Sequence, residues 1–286
     1  MMPLLRWLGR RPLWFSHALG ALLGWAAWAL SPTYRRRLAA HAALAGVAPA
    51  DRRRAVAEAG RMTAELPRLW LRPPAAPLAD PVTWDGAERL DAWLAAGRGL
   101  VLLTPHMGSF ELAAQAYAER HGRAHPITVL YRPARKPWLR TLQETARARP
   151  GLATAPASLA GVRQLLRTLK AGGTVGMLPD QVPPDGLGVW APFFGRAAYT
   201  MTLAARLAQQ SGAALGVLWA ERLPRGRGWI VHVQELADPP APGADEAAAA
   251  AAINRSMQAV IRQCPSQYLW GYDRYKAPRA PRSSAP

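Results

Sequence analysis

A histidine and a glutamate stand five positions apart in TPHMGSFEL, residues 104–112, after an apolar run. Residues five apart on one helix point about 140° away from each other, so His106 and Glu111 can face one another only across a turn that enters a helix. Gly108 would permit such a turn, and Ser109 is a candidate N-cap. A carboxylate bonded to one imidazole nitrogen makes the other nitrogen a base for a hydroxyl proton. The spacing therefore suits a general base. The alternatives are a helix-dipole role for Glu111 and a structural turn role for His106.

Apolar runs alternate with helical stretches from Gly99 onward, and these elements must position the pair. Strands are predicted at 99–106, 127–133, 152–156 and 174–181, followed by a strand pair at 214–223 and 228–236. Helices are predicted at 109–122, 137–148, 158–173, 200–210 and about 244–262. This alternation predicts an α/β fold: a single, mostly parallel sheet flanked by helices, with its functional site at the carboxyl ends of strands. His106 and Asp180 both lie at such ends.

The segment that precedes the alternating pattern reads as helical. Two helices are expected within residues 34–71, broken near Val47-Ala48-Pro49, with Asp51 as a candidate N-cap and an interruption at Glu65-Leu66-Pro67. A proline-rich connector, residues 72–81, would join them to the main domain. The expected organisation is an anchor at 1–33, a helical lead-in with connector at 34–81, the main domain at 82–276 and a disordered tail at 277–286.

The amino terminus contains nineteen residues without formal charge, Pro12 to Leu30, between two clusters of arginines. As a helix this segment would be about 28 Å long, close to the hydrocarbon thickness of a bilayer. It could span a membrane, lie in the interface, form a cleaved signal peptide or pack as a core helix. Membrane association is the preferred interpretation, since the arginines would add attraction to an anionic leaflet.

Charge and cysteine content restrict the function classes further. The formal net charge of +18 suits nucleic acid, an anionic membrane or an acidic partner. Because the basic residues flank an apolar segment and no recognition motif is present, nucleic acid is not expected as a partner. One cysteine excludes an intramolecular disulfide and a cysteine zinc cluster. The histidines show no metal-binding pattern, so no metal is expected.

Five motifs occur in an order that resembles the bacterial lipid A biosynthesis acyltransferase family, the lauroyl/myristoyl-type enzymes of the wider HX4D/E acyltransferase superfamily. The motifs are HMGSFE, YRP at 131–133, LPDQ at 178–181, APFFG with AYTMTLAARLAQQSGA, and QYLWGYDRYK at 267–276. The resemblance covers nearly the whole chain.

The resemblance implies that an acyl chain moves from an acyl thioester to a hydroxyl of a lipid A precursor, at the cytoplasmic face of the bacterial inner membrane. No cofactor is implied, because the thioester of acyl carrier protein or coenzyme A is itself a substrate. His106 would deprotonate the hydroxyl and Glu111 would orient His106, while Arg147 and Asp180 match the family's other functional polar positions. The bilayer, an acidic acyl carrier protein and a phosphoglycolipid acceptor are the implied partners.

Substrate contacts are expected from a second group of residues, which are basic, polar or aromatic and lie in or beside these motifs. They are Arg132, Arg135, Lys136, Arg149, Gln181, Phe193, Phe194, Arg274 and Lys276. The basic members would meet phosphates or the carrier protein, and the two phenylalanines would line an acyl groove, meet the bilayer or pack in the core.

The carboxyl-terminal motif departs from the family pattern. Tyr272 and Asp273 stand where a histidine and an arginine are usual, so two cationic groups are missing. The acceptor could therefore be a less phosphorylated or differently glycosylated lipid, another glycolipid or an aminolipid. From a different class, a basic non-catalytic membrane-binding protein would also fit the charge and the apolar amino terminus.

Overall fold

The structure is a computed structural model, which describes residues 2–134 and 136–279. Four helices come first: α1 (Met2–Gly9), α2 (Leu13–Leu30), α3 (Pro32–Leu44) and α4 (Pro49–Trp70). The predicted break at 47–49 is confirmed. Two details are wrong. Ala48 rather than Asp51 is the N-cap residue of α4, and the helix continues through Pro67, where the Leu71 N–H still bonds to the Pro67 carbonyl at 3.0 Å.

The remaining elements form the α/β core. The strands are β1 (Val82–Asp85), β2 (Leu100–Leu103), β3 (Ile127–Tyr131), β4 (Leu152–Pro156), β5 (Thr174–Met177), β6 (Gly188–Phe193), β7 (Arg196–Met201), β8 (Ala214–Arg222) and β9 (Trp229–Glu235). The helices are α5 (Ala87–Ala95), α6 (Phe110–His121), α7 (Pro137–Arg147), α8 (Leu159–Lys170), α9 (Leu203–Ser211) and α10 (Glu246–Gln263).

Seven strands make one sheet in the order β1-β9-β8-β2-β5-β3-β4. Every neighbouring pair is parallel except β8 and β9. The predicted mostly parallel sheet and its final strand pair are confirmed. Strand β1, helix α5 and the β6–β7 hairpin were not predicted, because these short elements alternate too little to stand out from loops.

Strand β2 shows why both faces of the sheet must be covered. Its four residues, Leu100–Leu103, are all buried. Val101 and Leu103 belong to one hydrophobic cluster, and Leu100 and Leu102 to the other. Successive side chains of a strand point to opposite faces, so a run of four apolar residues needs a core on each side. Helices supply both cores.

Helix α2 is packed against α4 through glycines. A Cβ on Gly20 or Gly24 would lie within 3 Å of α4 backbone atoms, and one on Gly60 would lie 1.9 Å from the Gly20 carbonyl oxygen. The helix is nevertheless only 28% buried and is long and apolar enough to cross a membrane. Its outward side chains are largely apolar, including Leu22 and Leu30, which are 67% and 83% exposed.

His232 on β9 connects its two neighbouring strands, β1 and β8, at one edge of the sheet. His232 Nδ1 lies 2.9 Å from an Asp85 carboxylate oxygen, its Nε2 lies 3.0 Å from Glu221, and the ring stacks on Trp219. These residues come from three adjacent strands. Burial lowers the pKa of His232, but the hydrogen bonds to Glu221 and Asp85 raise it by more, and the net pKa lies above the ordinary value.

The raised pKa predicts pH-dependent stability. The imidazolium's contribution is complete below the ordinary histidine pKa of about 6.5 and is lost as pH rises through the higher folded-state pKa. His232→Gln should therefore lower the melting temperature more at about pH 5.5 than at about pH 9. Thermal unfolding of both proteins across this range measures the difference. His125→Gln, in the turn before β3, is the control, and a pH-independent effect of His232→Gln would contradict the prediction.

Candidate functional site

The structure gives His106 a different carboxylate partner from the one its spacing suggested. His106 Nδ1 lies 2.7 Å from Asp180 Oδ1, and the His106 backbone N–H donates to Asp180 Oδ2 at 2.9 Å. The carboxylate thus holds both the ring and the backbone of the same residue. Because an ionised carboxylate only accepts, the proton of the neutral ring is on Nδ1 and Nε2 carries the lone pair.

Sheet topology explains this pairing. Strands β2 and β5 are parallel neighbours, in register from Leu100 with Thr174 to Leu103 with Met177. His106 and Asp180 each follow three residues after the end of their strand. Because the two strands are parallel and in register, residues at the same distance beyond their ends lie side by side. His106 and Asp180 therefore meet at the carboxyl edge of the sheet although they are 74 positions apart in sequence.

Asp180 is held as an anion in a buried place. Burial alone would raise its pKa, but the His106 ring, the His106 backbone N–H and the charge of Arg274 lower it overall. Tyr268 lies nearby, and burial followed by the Asp180 charge raises its pKa well above the usual value, so the phenol stays neutral. The His106 side chain is 16% exposed, against 1% for Asp180. The ring is therefore the part of the dyad that a ligand can reach.

The turn that carries His106 is fixed on both sides. Gly108 has a φ of +55°, and a Cβ there would lie 1.9 Å from the Ala220 carbonyl oxygen, so glycine is required on both counts. Its N–H donates to the Gln267 carbonyl, while the Leu269 N–H donates to the His106 carbonyl. Backbone hydrogen bonds with the carboxyl-terminal motif therefore hold the histidine turn in place.

Arg222, at the end of β8, also binds the turn that carries His106. Its guanidinium is wholly buried and donates to Glu65 on α4 at 2.8 and 3.0 Å, to Glu58 at 2.8 Å and to the Gly108 carbonyl at 2.8 Å. His17 on α2 bonds to Glu65 at 3.2 Å. One ionic cluster therefore joins the amino-terminal helices to the histidine turn.

Glu111 holds an arginine instead of His106, which corrects the expected His106–Glu111 contact. Its Oε1 accepts from Arg147 at 2.5 Å and its Oε2 accepts from the Trp70 indole at 3.2 Å. Arg147 also lies over the Tyr131 ring, 5.6 Å from its centroid. Both oxygens of Glu111 are therefore engaged. Helix α6 begins at Phe110, so Glu111 sits in its first turn and points toward α4 and α7.

Arg149 is a structural residue, contrary to its assignment as a substrate contact. Its guanidinium donates to the backbone carbonyls of Ala146, Leu69, Arg72 and Pro73. A buried cation that uses four of its five N–H donors on backbone carbonyls, most of them at the end of α4, is held in a structural role. Burial lowers its pKa to about 10.

Three further assignments are corrected for the same reason, burial. Phe193 and Phe194 are 1% and 6% exposed and pack in the core instead of lining an accessible groove. Arg274 is 2% exposed, stacks over Phe193 and donates to the Tyr199 carbonyl and to Thr200. It acts on the site through the field it exerts on Asp180.

Four of the other expected contacts are exposed or half-buried. Arg132 and Lys136 are exposed beyond β3, and Arg135 lies outside the described residues. Gln181 is half-buried directly after Asp180. Lys276 lies over the Tyr272 ring, 4.6 Å from its centroid, so it is held at the edge of the carboxyl-terminal motif.

The structure adds residues that sequence reasoning missed, chiefly Arg222 and Glu65. Both are charged residues in otherwise apolar surroundings: Arg222 ends the apolar run of β8, and Glu65 falls where the sequence suggested a helix interruption. Buried charges are rarely tolerated without partners, so charges in apolar runs were the available signal. Nothing in the spacing could have paired them. Among the described residues, no cluster of three or more metal-ligating side chains is positioned to hold an ion.

These features define a class of site: an imidazole base, oriented by a buried carboxylate, at the carboxyl edge of a mostly parallel α/β sheet beside an apolar helix. Such a base suits activation of a hydroxyl. Residues 6–277 match the family model described as bacterial lipid A biosynthesis acyltransferase. The chain belongs to this family.

Individual relatives are more distant. The chain is 28% identical over 193 residues to the lipid A biosynthesis lauroyltransferase of Escherichia coli strain K12. It is 27% identical over 194 residues to the palmitoleoyltransferase of the same strain and to the lipid A biosynthesis acyltransferase of Shigella flexneri. Each match covers 67% of this chain and 60% of the relative.

The buried ionic cluster yields a stability prediction. Burial would raise the pKa of Glu65, but Arg222 and His17 lower it to about 2, so the carboxylate is charged throughout the neutral range. Glu65→Gln leaves a buried guanidinium without its main counter-charge and should cost about 3–5 kcal/mol. Thermal unfolding measures the loss.

Asp51→Asn is the matched control for Glu65→Gln. Asp51 pairs with Arg54, whose side chain is 72% exposed. Surface pairs contribute about 1 kcal/mol or less. Equal shifts in melting temperature for the two variants would contradict the buried-cluster interpretation.

Proposed function

We propose that this protein is an O-acyltransferase that moves a fatty acyl chain from an acyl thioester to a hydroxyl of a lipid A precursor. The observation that carries the proposal is the 2.7 Å contact between His106 and Asp180 in a chain of this family. Acyl carrier protein is the proposed donor carrier. The proposed location is the cytoplasmic face of the bacterial inner membrane, with α2 as the membrane element.

The dyad supports a mechanism with no covalent enzyme intermediate. His106 Nε2 removes the proton from the acceptor hydroxyl as the oxygen attacks the thioester carbonyl. The tetrahedral intermediate collapses, the carbon–sulfur bond breaks, and the imidazolium returns its proton to the departing thiolate. Asp180 stabilises the imidazolium formed between these steps, and a positioned base of this kind contributes about 10²- to 10⁴-fold.

Arg147 is the cation that we assign to the site. Glu111, in the turn directly after His106, fixes Arg147 by a 2.5 Å hydrogen bond, and Tyr131 provides a ring on which the guanidinium rests. A guanidinium held in this way can stabilise a developing oxyanion or hold an acceptor phosphate. Glu111 is thus a positioning residue for Arg147 rather than the orienter of the base.

The acceptor has a second candidate, a glycolipid or aminolipid other than a lipid A precursor. One contact favours it. Asp273 pairs with Arg37 at 2.9 Å, so an acid replaces the usual cation and also neutralises a neighbouring arginine. Beside it, Tyr272 accepts a hydrogen bond from the Val182 N–H, two residues after Asp180. The site is therefore less cationic here than the family pattern implies.

Transfer by the purified full-length chain tests the proposal. Labelled acyl-acyl carrier protein is incubated with lipid A precursors or with other membrane glycolipids and aminolipids, and the products are identified by mass spectrometry. His106→Ala and Asp180→Asn should each slow transfer at least about a hundredfold, because each removes the base or its orientation. His125→Ala should leave the rate unchanged.

The outcomes distinguish between the two candidate acceptors, and they also test whether the protein transfers acyl chains at all. A lipid A product lost in His106→Ala supports the full proposal, while acylation of another lipid supports the mechanism and replaces the acceptor. Full transfer by His106→Ala, or no acylation with any donor and acceptor, contradicts the enzymatic proposal and favours a non-catalytic membrane-binding protein.

A double-mutant cycle tests the role assigned to Glu111. Glu111→Gln and Arg147→Gln should each slow transfer, and the double variant should be little slower than the worse single one, because both changes break one contact. Rates with the paired variants Glu111→Gln and Asp180→Asn should instead combine nearly multiplicatively. Strong coupling between Glu111 and Asp180, with none to Arg147, would restore the original expectation that Glu111 orients His106.

A further inference from the structure

A cationic cavity lies apart from the histidine dyad, between α1 and the end of α4. It encloses about 330 Å³, and its lining includes Arg6, Arg10, Arg68, Arg72, Asp80 and Trp229. Trp229 is the cross-strand partner of Arg222, so the cavity opens at the same carboxyl edge of the sheet as the dyad. The volume is that of a small-molecule site.

The charges around this cavity are only partly neutralised by the protein. Arg68 pairs with Asp80 at 3.0 Å, and Arg72 pairs with Glu119 at 3.3 Å. Counting both acids against the four arginines leaves two uncompensated positive charges, which belong to Arg6 and Arg10. Within residues 2–134 and 136–279, neither of these two side chains has an ion-pair or hydrogen-bond partner.

Arg72 lines the cavity with a guanidinium that the protein itself already holds. Its side chain is 9% exposed, and its Nε is buried without a hydrogen-bond partner among the described residues. The terminal nitrogens donate to Gln115, Glu119 and the Ala76 carbonyl. Arg72 therefore adds positive charge to the lining, while its terminal nitrogens stay bonded to the protein.

Helix α1, which lines the cavity, and the start of α2 carry exposed apolar side chains. Leu4 and Trp7 on α1 are 60% and 46% exposed, and Trp14 at the start of α2 is 58% exposed. Arg11 rests on the Trp7 ring, 4.7 Å from its centroid. A cavity lined by arginines of a helix that also carries exposed apolar side chains matches a ligand with an anionic head and an apolar tail.

We propose that this cavity binds the phosphate of an anionic phospholipid, with the lipid chains lying along α1 and the start of α2. Arg6 and Arg10 contact the phosphate, and Arg68 and Arg72 add positive charge to the lining around it. The site is separate from the acceptor and donor positions at His106. It rests on the membrane association included in the proposed function and requires no acyl transfer.

Binding of a short-chain phospholipid to the full-length protein in neutral detergent tests the proposal. Dihexanoyl phosphatidylglycerol should bind the wild type, and Arg6→Gln with Arg10→Gln should weaken that binding by about tenfold or more, because two charge-assisted contacts are lost. The same binding should persist in His106→Ala, which separates this site from the reaction. Dihexanoyl phosphatidylcholine should bind more weakly than phosphatidylglycerol to the wild type.

Arg36→Gln with Arg53→Gln is the matched control. Both arginines are exposed, and their removal changes the net charge by the same amount without touching the cavity. This control should bind phosphatidylglycerol like the wild type. Equal weakening in both double variants would assign binding to general charge and overturn the proposal. Inorganic phosphate competing as well as the lipid would overturn the lipid assignment in favour of a free anion, and failure of the wild type to bind would overturn the site altogether.

Discussion

The buried guanidinium of Arg222 is the interaction on which the rest of this structure depends. Its partners belong to separate parts of the chain: Glu65 and Glu58 on α4, and the Gly108 carbonyl in the histidine turn. A cation removed from water is tolerated only when nearly all its donors are satisfied, so these segments can pack in only one arrangement. Because His17 also bonds to Glu65, that arrangement includes the apolar helix α2.

This constraint connects the apolar helix α2 to the turn that carries His106. Helix α2 approaches α4 so closely that Gly20, Gly24 and Gly60 leave no room for a side chain. The helix keeps a small-residue face for α4 and an apolar face for its surroundings. The histidine turn is attached to the same α4 through Arg222. The histidine turn and α2 are therefore both held by the same helix, α4.

The two carboxylates near the histidine turn, Asp180 and Glu111, bind different partners. Asp180 orients His106 from within the core, where its charge is protected by Arg274 and the backbone. Glu111, although it is nearest in sequence, reaches outward to Arg147 and Trp70. The two carboxylates serve the site in different ways, one through the base and the other through a cation. The Arg147–Glu111 pair joins α7 to the first turn of α6, and its guanidinium lies over Tyr131 at the end of β3.

The sequence alone determined the α/β class, the mostly parallel sheet and the placement of His106 and Asp180 at strand ends, because apolar periodicity and chain-order motifs are local properties. It could not determine that β2 and β5 are neighbours in register, and this non-local fact selects Asp180 over Glu111 as the partner of His106. Burial was equally inaccessible. Arg149 and Arg274 look like surface cations in the sequence, yet tertiary packing surrounds them with carbonyl and hydroxyl oxygens, so only the folded structure decides which arginines can reach a ligand.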